Sequence, residues 1–176
     1  AYYHLVMAVD STQSTESDRV KFYLNGVQQT TLDSSANTFP PLNQSFTLNS
    51  SGYDVEIGAS NSSSYFNGLM SYFAFVDGTA YDATSFGEPN AATGIWKIKT
   101  SPSVTYGNNG FFLKMDTTSP GSDTSGNDNT FTASGTPTLA QDNASNNLAT
   151  GNPLYFTNSS WTTSLTNGNN TFTGHT

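Results

Sequence analysis

The chain contains no cysteine, which excludes disulfide bridges and thiolate metal sites alike. Charge is also scarce: Asp, Glu, Lys and Arg make up 10% of the 176 residues, and hydrophobic residues only 34%, both below the usual share for a globular domain. So few apolar residues cannot fill a thick core. They fit a thin β sandwich with polar outer faces better than a helical protein. The five basic residues, Arg19, Lys21, Lys97, Lys99 and Lys114, form no dense patch. A net charge of −8 with a pI near 4.2 disfavours nucleic acid and anionic membrane as partners. No apolar run approaches the length of a membrane span, and the opening residues are expected not to be a signal peptide. Residue 1 abuts strand-like sequence without an initiator Met, so the chain is expected to be a piece of something longer.

What is present is aromatic. Phe, Trp and Tyr reach 13%, a level that disordered Ser/Thr/Asn-rich chains lack. The densest apolar run, residues 69–76, alternates Phe73 and Phe75 with Tyr72, Ala74 and Val76, a period of two and not a helical stripe. With apolar residues on both faces it reads as a strand covered on both sides. Gly68 marks its entry and Asp77-Gly78 its exit. Asp82 reads as the N-cap of one helical turn that Gly87 ends.

Around that strand, residues 2–10 alternate as a strand, and residues 19–24 place Val20, Phe22 and Leu24 on one face. Asn25-Gly26 is a strong hairpin signal, with 27–31 as the return strand. Further strands are expected at 53–57, with Val55 and Ile57 inward, at 111–115 and 130–133, and a short edge at 45–48. Pro40-Pro41 excludes a central strand. Residues 89–105 read as irregular, anchored by Ile95, Trp96 and Ile98. The expected organisation is a β-sandwich core over 1–115 with 89–110 peripheral, a loop-rich linker over 116–153, and a β-strand tail over 154–176. The tail holds strand candidates at 154–156, 160–164 and 170–173.

The segments Tyr2-Tyr3-His4-Leu5-Val6-Met7-Ala8-Val9-Asp10 and Asp18-Arg19-Val20-Lys21-Phe22-Tyr23-Leu24-Asn25-Gly26-Val27-Gln28 resemble the middle strands of a laminin-G-like domain. That family belongs to the concanavalin A-like lectin and glucanase jelly rolls. Tyr65-Phe66-Asn67-Gly68 with Phe73, Phe75 and Asp77-Gly78 is similar to its last core strand. The later pieces Ser85-Phe86-Gly87-Glu88, Gly94-Ile95-Trp96-Lys97, Tyr106-Gly107-Asn108-Asn109-Gly110-Phe111, Asp123-Thr124-Ser125-Gly126-Asn127 and Asn152-Pro153-Leu154 resemble the version found in virion proteins of tailed bacterial viruses. The resemblance implies an all-β, two-sheet jelly-roll sandwich. Family members carry several strands before the segment matching Tyr2, so the jelly roll is expected to be incomplete at its N-terminus and to have an extended C-terminal β tail. Exposed sheet edges then invite pairing with other chains. The tail, or a neighbouring subunit, is expected to supply strands by β-augmentation.

The resemblance also directs attention to particular chemistry. Glucanases of the superfamily use paired carboxylates on one strand. Asp54 and Glu56 share a face by spacing, but Gly58 and Ala59 stand where the pattern needs a third acidic residue, and a solvent-facing polar strand explains the pair better. His4 has no Ser or Asp pairing visible in sequence. There is no Gly-rich phosphate loop, so no catalytic residue is assigned and the chain is expected not to be an enzyme. Asp123, Asn127 and Asp128, with Ser125, offer hard oxygen ligands to Ca2+. An Asx-rich turn that satisfies its own backbone is the competing reading. Asn61, Tyr65, Asn108 and Asn109 are the candidate carbohydrate contacts, the family's commonest role. Six Asn-x-Ser/Thr sequons, at Asn43, Asn49, Asn61, Asn143, Asn158 and Asn169, would carry glycans if the source glycosylates its surface proteins.

The expectation is a non-enzymatic virion structural module of a fibre, tail or capsid surface, extracellular or on the virion, that self-associates or joins neighbouring subunits and attaches to cell-surface glycans. The alternative is a glycosylated extracellular filament subunit joined by strand exchange. A glycan hydrolase is a third and weaker reading.

Overall fold

A computed structural model describes residues 2–31, 38–46, 55–60, 64–115 and 119–140, together with the strands at 164–166 and 171–173. The chain is all-β with antiparallel sheets; its helical content among these residues is two short 3-10 turns, Glu16–Asp18 and Ala83–Ser85. No helix among them is long and apolar enough to cross a membrane.

The first sheet is a meander of β1 (Leu5–Val9), β2 (Val20–Leu24) and β3 (Val27–Gln29). Asn25 and Gly26 join β2 to β3 at φ 49° and 82°, the two left-handed residues that a type I′ hairpin needs. The register sets Leu5 opposite Leu24, Met7 opposite Phe22 and Val9 opposite Val20, with Val27 opposite Leu24. One face of this sheet is therefore apolar throughout except for Gln29. Arg19 precedes β2 and is buried. Its guanidinium donates to the carbonyls of Gln13, Pro40 and Ser14 at 2.8, 2.9 and 3.1 Å, which ties the 11–18 loop to the 38–46 segment.

The core lies elsewhere. β6 (Phe73–Phe75) pairs with β9 (Phe111–Leu113), and all three residues of β9 are buried. On one face Phe111 meets Phe73, Phe75 and Phe131, and on the other Phe112 meets Tyr72 and Tyr106. The strand covered on both sides is thus β9 and not the 69–76 run. Tyr72 sits at φ 55°, which breaks the run before Phe73, and Leu69, Met70 and Phe73 are exposed at 56%, 37% and 36%.

Between these two strands Asp82 caps its 3-10 turn as its spacing implies, accepting from Thr84 N at 2.9 Å. The 89–105 segment is more regular than expected. β7 (Gly87–Pro89) and β8 (Trp96–Ile98) form a hairpin, because the Asn90 side chain accepts from Ala92 N and Thr93 N and closes the turn. Ile98 is buried and Trp96 half-buried, whereas Ile95 is 69% exposed and anchors nothing.

Other expected strands fail or shift. Residues 55–57 are not a strand and Val55 is exposed; β4 (Ala59–Ser60) and β5 (Ser64–Tyr65) form the hairpin there. Residues 130–133 are not a strand either; Phe131 contributes its ring to the core while its N–H bonds Gly121 O. Residues 45 and 46 are not in a strand. In the tail, β10 (Ser164–Thr166) pairs with β11 (Thr171–Thr173). The 154–156 candidate and Asp54 lie outside the described residues.

Candidate functional site

The polar loops at one end of the β6–β9 pair converge. Asp77 follows β6, residues 107–110 lead into β9, and residues 123–129 run along the free edge of β9 through a bridge between Leu113 and Asp123. Asn109 Nδ2 donates to Asp77 Oδ2 at 2.8 Å. Asn127 Nδ2 donates to the carbonyls of Gly107 and Gly110, and Asn129 Nδ2 to those of Asn108 and Gly110. Gly110 is buried, and a Cβ there would overlap the Tyr106 carbonyl at 1.9 Å. Only glycine lets the backbone of this turn approach the Tyr106 and Phe75 carbonyls so closely.

Asp123 holds the second half together. Its Oδ1 accepts the N–H groups of Phe112 and Ser125, each at 2.8 Å, and its Oδ2 accepts Ser125 Oγ at 2.8 Å and Asn129 N at 2.9 Å. Burial pushes the Asp123 carboxyl up, but the hydrogen bonds from Phe112, Ser125 and Asn129 outweigh it and hold the group below its ordinary value. Burial, with the Asp123 charge as a lesser cause, pushes the Tyr106 hydroxyl up to about 12. This is the pattern of a carboxylate organising its own backbone.

Of the residues singled out for Ca2+, Asp123 and Asn127 meet in this knot, both spending side-chain atoms on protein partners. Asp128 is exposed beside them at φ 60°. Among the described residues no three His, Cys, Asp or Glu side chains gather. Of the carbohydrate candidates, Asn108 and Asn109 share an exposed turn at the mouth of the knot, while Tyr65 is 72% exposed on β5 in a separate sheet. Asn61 lies outside the described residues, as do the sequon positions Asn49, Asn143, Asn158 and Asn169. Asn43 is exposed in a turn at φ 59°, its N–H bonded to Ser11 O.

Two features escaped sequence reading. Asp77 and Asn129 complete the knot, yet Asp77-Gly78 reads as a simple turn and Asn129 as one of many asparagines. The apolar face of β1–β2–β3 carries Leu5 at 75%, Met7 at 54%, Phe22 at 38% and Val27 at 65% exposure, with Tyr3 at 68% on the same side of the chain leading into β1. Its apolar alternation was visible, but not that it would face solvent. Comparison with protein-family models, with curated proteins and with solved structures found no match.

Proposed function

We propose that the chain is a non-enzymatic structural module of a virion surface, a laminin-G-like jelly roll in a fibre, tail or capsid protein. Its work is assembly, with attachment to host glycans as a second role. The observation that carries this reading is the open apolar face of β1–β2–β3. A contiguous patch of this kind on a soluble chain marks an interaction surface, and two antiparallel sheets covering each other's apolar faces make a sandwich. The occupant is the same face of a second copy. The face holds no charged residue in register, so a chain of net charge −8 can meet its copy there without placing like charges in contact. The exposed Asn108–Asn109 turn, which leads into β9 of another sheet, contacts sugar hydroxyls.

The cysteine-free sequence supplies a clean test. Met7→Cys would place a single thiol on the face, and maleimide labelling in the isolated chain and in the native particle compares its accessibility. Protection in the particle supports the assembly role; equal labelling in both rejects it. The filament alternative draws on β1 and β3, both outer strands of their sheet, which strand exchange could extend. Sugar on Asn43 in the native protein would favour it.

A further inference from the structure

We propose that an acid-released latch joins the β1–β2–β3 sheet to the β7–β8 hairpin, through the hydrogen bond that the Trp96 indole N–H donates to His4 Nδ1. The bond measures 2.8 Å, and the two rings lie in nearly parallel planes, 20° apart, with centroids at 5.9 Å. Both ends are fixed. His4 N donates to Asn25 Oδ1 at 2.8 Å and Asn25 N returns to His4 O at 2.8 Å, which locks His4 to the type I′ turn. Trp96 is clamped between two glycines: a Cβ on Gly26 would lie 2.3 Å from its ring and one on Gly87 2.5 Å. The tryptophan is therefore held in one position by the sheet on one side and by its own hairpin on the other.

Nδ1 accepts only while it carries no proton, so the proton of neutral His4 sits on Nε2. Protonation turns Nδ1 into a donor facing a donor. A half-buried indole N–H then loses its acceptor and a charge is placed at a half-buried site, both unfavourable. Burial alone moves the His4 pKa, downward from 6.5. The neighbouring groups do not offset this. Lys21 and Asp10 lie on the His4 face of the sheet by alternation, toward its far end; Lys21 pairs with Asp18, and Asp10 is bonded by Thr12 and Gln13. Tyr2 and Tyr23 are the nearer titratable residues on that face. Glu88 and Lys97 are cross-strand partners in the hairpin, on the face opposite Trp96. Among the described residues no carboxylate offsets the burial of His4.

Two readouts on the full chain test the latch, in a Trp161→Phe background that leaves Trp96 as the sole tryptophan. Between pH 8 and 4.5, Trp96 emission is expected to shift to longer wavelength with a midpoint below 6.5. Exchange of its indole N–H with solvent is expected to accelerate at least tenfold beyond the change intrinsic to pH. His4→Gln, which keeps an acceptor oxygen and does not titrate, should abolish the transition. Quenching with unchanged indole exchange, no transition at all, or an identical transition in His4→Gln would each overturn the proposal.

Discussion

Phe112 N donates to Asp123 Oδ1 at 2.8 Å, and Phe112 O in turn accepts both the N–H and the hydroxyl of Thr124, each at 2.9 Å. The central core strand β9 is thereby paired on one edge by β6 and on the other by a loop, with one carboxylate standing where a neighbouring strand's carbonyl would be. Replacing Asp123 with Ala leaves the N–H groups of Phe112, Ser125 and Asn129 without this acceptor. The expected loss is about 3 kcal/mol, measured by urea denaturation, with Asp123→Asn losing less because one oxygen remains.

The same carboxylate sets an acid limit. Its pKa is depressed in the folded chain by the hydrogen bonds that overcome burial, so its contribution is complete above the ordinary carboxylate value and is lost as pH falls through the folded value. His4 acts earlier. Its folded pKa lies below 6.5, so stability begins to fall as pH drops through 6.5 and levels off below the folded value. Melting followed from pH 8 to 3 should show both steps; Asp123→Ala should shrink the lower one, to which the hydrogen-bonded carboxylates of Asp10 and Asp82 also contribute, and leave the upper one unchanged.

At the alkaline end Tyr106 holds its proton to about 12. Its contribution to stability is intact below the unfolded value of about 10 and is lost as pH rises from there through the folded one. Absorbance titration of tyrosinate should show a late-ionising component that Tyr106→Phe removes.

Arg19 separates charge from geometry. Its three carbonyl acceptors diverge, and a lysine ammonium in its place can satisfy only part of the set. Arg19→Lys is expected to cost about 2 kcal/mol in denaturant melts and to expose the 11–18 loop to limited proteolysis.

How much of this was legible in the sequence depends on the range of the interaction. The I′ turn at Asn25-Gly26 and the Asp82 cap were readable because both are settled within four residues. The aromatic alternation at 73–75 was readable as a strand, but not its burial: that depends on Tyr72 adopting a left-handed backbone and on β9 arriving from almost forty positions away. The β7–β8 hairpin was missed because Asn90 closes it with a side chain in a stretch without alternation. At the candidate site, the 123–129 loop was recognisable as Asx-rich, and both a Ca2+ site and a self-satisfied turn were consistent with it. Nothing in the sequence showed that Asp123 would be spent on a strand edge, or that Asn127 and Asn129 would reach back to the 107–110 turn. His4–Trp96 spans 92 positions, beyond any local pattern.

The open face of β1–β2–β3 as a subunit interface is the claim on which the proposed function turns. Sedimentation velocity across a concentration series, on the native sequence and on Met7→Asp, addresses it directly, with circular dichroism checking that both are folded alike. The native chain should associate as concentration rises, and Met7→Asp should stay monomeric with an unchanged spectrum. A native chain that remains monomeric at every concentration, or a Met7→Asp variant that associates equally well, would contradict it.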